Sequence, residues 1–148
     1  MSINVNIKLL RENAALPAYA TDGSAALDLR ASLDAPLTIG PGERAKIPTG
    51  IAIAPESKDV VAVLCARSGL ASKQGVTLVN GIGVIDSDYR GEIAVAVINL
   101  GDAPAVIAPG DRVAQLMFMP VLHANLIPVT ELDETARGAG GFGSTGVK

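Results

Sequence analysis

Short apolar segments with a two-residue repeat recur along the chain between clusters of glycine, proline, aspartate and asparagine. VNIKLLR from Val5, RAKIPTGIAIAP from Arg44, VVAVLCAR from Val60, EIAVAVINL from Glu92 and RVAQLMFMPV from Arg112 are rich in Val and Ile and read as β-strands. In EIAVAVINL the larger Ile93, Val95 and Val97 fall at period two with small alanines between them, which suits a sheet packed tightly on both faces. Turn signals at Pro41-Gly42, Pro55-Glu56, Asn80-Gly81 and Pro109-Gly110 separate the strands at spacings typical of an antiparallel sandwich or barrel. The pattern therefore predicts an all-β domain. Helix signals are sparse: Ser68 opens SGLASKQG and is expected to cap a helix of one or two turns that Gly75 ends. No internal repeat is visible.

At 148 residues the chain suits one domain, 1–148, with a β core over 1–135. Residues 136–148, ARGAGGFGSTGVK, are too rich in glycine to fold independently. They fit a disordered tail. They also fit a flexible lid, in which Arg137 grips phosphate, Phe142 covers a flat base and the glycines let the backbone wrap.

Composition narrows the class. The chain is 49% hydrophobic with sixteen glycines besides, above the usual share of about 45–50% with glycine included, so part of the excess is expected in a subunit interface. No stretch approaches the roughly 20 apolar residues that would cross a bilayer, and MSINVNIKLLRE lacks a basic segment followed by an apolar run. A cytoplasmic protein without membrane contact is expected. A net charge of −3 and 3% aromatic residues argue against a broad nucleic-acid surface. The one cysteine, Cys65, lies inside an apolar run and reads as a small buried hydrophobe.

Three clusters could carry chemistry. Arg67-Ser68-Gly69, between a strand and the expected helix, places free backbone N–H groups, a hydroxyl and a guanidinium together. It fits an anion site or an ordinary capped turn. LVNGIGVIDSDYRGE reads as a hairpin, with Asn80-Gly81 at the turn, Gly83 allowing close backbone approach, and Asp86, Asp88 and Tyr89 on the returning strand. Its backbone and the Asn80 amide could match the edge of a pyrimidine while a carboxylate orients water, or it could be a plain solvated hairpin. Asp28, flanked by Leu27 and Leu29, needs a partner: Arg30 or another basic residue, or Mg²⁺, which takes few protein ligands and keeps several waters. His123 and Ser68 have no evident triad partners, so hydrolysis would use activated water.

Together these clusters resemble, in order, the five motifs of the trimeric dUTPase family, over about Ser24 to Gly146. SAALDLRA around Asp28, RSGLASKQG from Arg67, NGIGVIDSDYRGE from Asn80, GDRVAQL from Gly110 and RGAGGFGSTG from Arg137 carry the resemblance. IDSDYRGE and GGFGSTG are its most specific parts. Ala26 stands where the family often has glycine, and Ala66 where many relatives have proline; neither is a proposed ligand.

The resemblance implies an antiparallel jelly-roll-like subunit with one short helix. It further implies a homotrimer whose active sites draw on all three chains, and hydrolysis of dUTP to dUMP and pyrophosphate, limiting uracil incorporation into DNA and supplying dUMP for thymidylate synthesis. By position, Asn80 and the hairpin backbone would recognise uracil and Tyr89 would pack beneath deoxyribose, leaving no room for a 2′-hydroxyl. Asp86 would be the base that activates water for in-line attack on the α-phosphorus. Asp28 would hold Mg²⁺ through water. Ser68 and the N–H groups after it, at Gly69 onward, would bind the α- and β-phosphates; Arg67 would face the phosphates, Gln115 and Arg137 would contact the γ end, and Phe142 would stack over uracil.

The sequence also admits two rival readings. A dCTP deaminase resembles this fold and shares the Arg-Ser and Ile-Asp features, but alignment from Asp86 puts Ala96 where it carries its glutamate. A non-catalytic nucleotide-binding or regulatory β module would not require a base beside the α-phosphate.

Overall fold

The period-two segments form an antiparallel β fold in the computed structural model, which describes residues 2–141. The strands are β1 (Val5–Leu9), β2 (Ala18–Tyr19), β3 (Leu27–Arg30), β4 (Leu37–Ile39), β5 (Arg44–Pro48), β6 (Ile51–Pro55), β7 (Val60–Ala66), β8 (Val76–Leu78), β9 (Gly83–Ile85), β10 (Ala94–Asn99), β11 (Ala105–Ile107) and β12 (Arg112–Pro120). One helix, α1 (Ser68–Gln74), follows β7. The largest sheet has the order β2-β3-β12-β7-β9; the others are β5-β10-β8, β1-β6 and β4-β11. Consecutive strands often enter different sheets, which is the wiring of a jelly roll.

All four sheets face one core. Leu29 and Leu116 from the large sheet, Ile47 and Val95 from the second, and Ile51 and Ile107 from the two small ones are each no more than 1% exposed. Ile93, Val95 and Val97 are buried as their spacing predicts, while the alanines between them are half-buried. Among the described residues no helix is long and apolar enough to cross a membrane.

Three local expectations are corrected. RAKIPTGIAIAP is not one strand: the chain turns at Thr49-Gly50, where Gly50 has φ 70°, and β5 and β6 join different sheets. Ser68 is not the helix cap, because Arg67 leaves β7 with extended dihedrals (φ −86°, ψ 125°) and occupies that position itself, making no side-chain cap bond. The Ser68 hydroxyl therefore has no capping duty. Finally, β8 and β9 do not pair with each other as a hairpin: β8 pairs with β10 and β9 with β7, so the Asn80-Gly81 turn carries the chain from one sheet to another. Asp86, Asp88 and Tyr89 consequently lie beyond β9, in a turn closed by the Tyr89 N–H donating to the Asp86 carbonyl at 3.1 Å.

Gly75 ends α1 as expected, at φ 71°, and its N–H donates to the Ala71 carbonyl at 3.0 Å. A Cβ there would lie 2.6 Å from Gly101 Cα. The Gly101 N–H is itself tied to the buried Asn99 side chain at 2.8 Å, so the neighbouring backbone has nowhere to go. Gly75→Ala combines left-handed strain with overpacking, and is expected to cost about 2–5 kcal/mol of stability. A lowered midpoint in denaturant-induced unfolding would register it; an unchanged midpoint would show that this junction relaxes.

Candidate functional site

Two separate clusters emerge. The first is a cleft of about 260 Å³ whose lining includes Asn80, Gly83, Asp86, Tyr89, Glu92 and Lys46. The chain reaches it because Gly83 passes tightly over β7: a Cβ there would lie 2.9 Å from Leu64 Cβ, so only glycine lets the backbone follow this path. Asp86 is exposed, and its carboxylate makes no hydrogen bond or ion pair among the described residues. It is free to act on a bound molecule. Tyr89 is 46% exposed, with its hydroxyl donating to the Glu92 carbonyl at 3.1 Å.

Glu92 ties this cleft to the rest of the fold. Its Oε1 accepts from Arg11 Nε at 2.9 Å and from the Gly50 N–H at 2.9 Å, and its Oε2 accepts from Arg11 Nη2 at 3.2 Å. The Arg11 hydrogen bonds, aided by the Gly50 N–H, hold the Glu92 carboxyl below its ordinary value against the opposing effect of burial, while the same bond to Glu92 raises Arg11. A carboxyl lowered on folding stabilises the fold above its unfolded pKa and loses that contribution as pH falls through the folded value. The pair is therefore intact at neutral pH.

The second cluster gathers around Asp28, which is 8% exposed on β3. Its Oδ2 accepts from Arg112 Nη1 at 2.9 Å. Arg67 Nε stands 3.4 Å from Oδ1, close enough for an ion pair but without hydrogen-bond alignment, so Oδ1 is a buried oxygen lacking a hydrogen-bond partner. Arg30, the nearest basic residue in sequence, instead donates to the Gly110 carbonyl at 2.8 Å. The acid is paired from across the sheet. Gln115 sits directly opposite Asp28 in the β3–β12 ladder and opposite Cys65 in the β7–β12 ladder. Beside them lies a polar cleft of about 280 Å³ whose lining includes Arg30, Arg67, Arg112, Gln74 and Asp111. Ser68 and Gly69 are exposed at the adjoining start of α1, and a Cβ on Gly69 would meet nothing within 4 Å. The chain's own packing makes no use of that space.

Arg137 is brought to neither cleft; its guanidinium closes a local turn by donating to the Gly140 carbonyl at 2.9 Å. Phe142 lies outside the described residues. Arg112, Glu92 and Lys46 are cleft residues not singled out from sequence, while Arg30, expected as a partner of Asp28, lines the second cleft instead. Arg112 was within reach, standing three residues before Gln115 in GDRVAQL, whereas nothing local marks Glu92 as the partner of Arg11, 81 positions away.

The two clusters stand at opposite ends of β7. Ile85 pairs with Ala62, which puts Asp86 level with Val61, while Arg67 and Ser68 follow the other end of the strand at Ala66. Five residues of strand separate those levels by roughly 17 Å. No side chain of Asp86 reaches the Ser68 end within one chain. Among the described residues no group of three or more His, Cys, Asp or Glu gathers that could hold a metal ion alone.

A family model described as dUTPase matches residues 12–146. A curated deoxyuridine 5′-triphosphate nucleotidohydrolase from Desulfitobacterium hafniense (strain DSM 10664 / DCB-2) is 58% identical over 148 residues, covering 99% of this chain and 98% of that protein. Among solved structures, a variant dUTPase of Staphylococcus bacteriophage 80alpha with dUpNHpp superposes with a TM-score of 0.84 at 26% identity, covering 97% of this chain and 99% of that one. A variant dUTPase from phage phi11 of S. aureus, described with coordination of a structural Mg(II) ion, gives 0.79 at 24% identity, covering 88% and 99%.

Proposed function

The chain belongs to the dUTPase family and hydrolyses dUTP to dUMP and pyrophosphate, and we propose that it does so at sites shared between the subunits of a homotrimer, with Asp86 as the base. The observation that carries the assignment of residues is the single cleft in which Asn80, Asp86 and Tyr89 meet. In this reading Asn80 and the neighbouring backbone pair with the edge of uracil. Tyr89 lies against the deoxyribose where a 2′-hydroxyl would collide. The unpaired Asp86 carboxylate accepts a proton from the water that attacks the α-phosphorus in line, and pyrophosphate departs.

The arginine-rich cluster supplies the phosphate side. Ser68 and the N–H groups at Gly69 onward bind α- and β-oxygens, Gln115 contacts the γ end, and Arg67 faces the triphosphate. The tail adds Arg137 to the γ-phosphate and Phe142 over the uracil, so that residues 136–148 act as a lid on the core of 1–135. Asp28 would hold Mg²⁺ through water: its buried Oδ1 has no hydrogen-bond partner, only the Arg67 guanidinium at ion-pair distance, and one carboxylate oxygen suits an ion that takes its other ligands from water and phosphate. When bound, Mg²⁺ neutralises developing charge on the phosphate oxygens.

Two features support shared sites. The base and the phosphate-binding residues are separated along β7 by roughly 17 Å, so both touch one triphosphate only when they come from different copies. The extended segment after β12 also presents Leu122, Leu126, Ile127 and Leu132 at 74–97% exposure, apolar surface that suits a neighbouring chain.

The direct test is pyrophosphate release by the purified protein with Mg²⁺ and, separately, dUTP, UTP, dTTP or dCTP. Release from dUTP alone, abolished by a chelator, is expected. Ammonia from dCTP would indicate the deaminase, and silence on all four a binding module.

A further inference from the structure

Arg11 precedes the span matched by the family model, lies in none of the five motifs, and yet is bonded into the cleft wall. The segment around it is strapped to the Gly50 corner: the Leu10 N–H donates to the Gly50 carbonyl at 2.7 Å, while the Gly50 N–H donates to Glu92 Oε1 at 2.9 Å. Immediately after Glu92, the Ile93 N–H donates to the Ile51 carbonyl at 2.8 Å. The backbone at Glu92 is thus pinned from both sides, and the Glu92 carbonyl is the atom that receives the Tyr89 hydroxyl at 3.1 Å. Gly91 completes the seat, because a Cβ there would lie 2.6 Å from the ring carbon bearing that hydroxyl.

We propose that Arg11 and Glu92 are positioning residues for sugar selection: their bidentate pair, locked to Gly50, fixes the carbonyl on which the Tyr89 ring is held. An exposed tyrosine otherwise exchanges rotamers on a picosecond-to-nanosecond timescale. Excluding one hydroxyl group demands a wall that stays where it is, since a small displacement of the ring makes room for an oxygen. The exposed ion pair adds little to global stability. Its effect is local, on the placement of Tyr89, and the inference rests on the reading of Tyr89 as the residue that lies against deoxyribose.

The test compares kcat/KM for dUTP and UTP in Arg11→Gln, Glu92→Ala, Glu92→Gln and Gly91→Ala, with Tyr89→Ala as reference. Arg11→Gln, at an exposed position, is expected to fold and to lower the dUTP-to-UTP ratio about fivefold or more, mainly through improved use of UTP, with kcat for dUTP little changed. Glu92→Gln, which keeps an acceptor for the Gly50 N–H, should recover part of the ratio lost in Glu92→Ala. Gly91→Ala should lower the ratio by pushing the ring out of its seat without touching Arg11. A merely structural role would lower stability or slow both substrates in parallel and leave the ratio intact, and that result overturns the proposal. If Tyr89→Ala itself keeps full discrimination, the reading of Tyr89 is what fails. Collapse of the ratio in Tyr89→Ala with none in the Arg11 and Glu92 variants rejects this inference alone.

Discussion

Asp86→Asn is expected to abolish most hydrolysis while leaving nucleotide binding near normal. The substitution keeps the shape of the side chain and removes its capacity to take a proton. In the folded chain the Asp86 carboxylate is exposed in the cleft and has no protein partner among the described residues, so the change breaks no structural bond and leaves no buried group unpaired. Loss of a positioned general base typically costs about 10²–10⁴ in rate. Pyrophosphate release by the variant, set against calorimetric binding of a non-hydrolysable dUTP analogue, separates the two effects. Undiminished hydrolysis would remove Asp86 from the role of base. Loss of binding together with hydrolysis would make the residue a ligand of the substrate instead.

A mixture of two inactive variants is expected to regain activity. In the proposed assignment, chains carrying Asp86→Asn lack the base and chains carrying Ser68→Ala with Gln115→Ala lack phosphate ligands, so each retains what the other has lost. If one copy supplies the Asp86 cleft and another the Ser68 end, random assembly from equal amounts restores about a quarter of the sites. Each intact site then has wild-type contents, so the recovered rate should approach a quarter of the wild-type rate after the two proteins are unfolded and refolded together. Mixing without refolding should recover nothing if assembled chains do not exchange. A refolded mixture that assembles but stays inactive would place the whole site within one chain. That outcome would conflict with the roughly 17 Å along β7 that separates Asp86 from the start of α1.

Much of the grouping of the candidate residues was legible because it is local. Asn80, Asp86 and Tyr89 fall within ten residues, and a turn brings them into one cleft whatever the strands around them do. The same holds for Arg67, Ser68 and Gly69 at a strand end, and for Gly75, whose lack of a side chain marks the end of α1 by the positive φ it adopts. Hydrophobic period identified the main strands, since alternate residues must face the core: Ile93, Val95 and Val97 are buried as the alternation requires.

What the local pattern could not contain was the pairing of distant segments. The LVNGIGVI run reads as a hairpin because turn chemistry and flanking apolar residues are present, but β8 and β9 each found a better partner in another sheet, and tertiary packing decided between the two arrangements. Asp28 takes Arg112, 84 positions away, rather than Arg30 two residues on, because the β3–β12 register brings that guanidinium within 2.9 Å of the carboxylate. Thus the residue types, their turns and the faces of the strands were determined by the sequence read locally. Strand register, the Arg11–Glu92 strap and the separation of Asp86 from the start of α1 were decided only by the tertiary structure, since each depends on contacts between segments that nothing short-range joins.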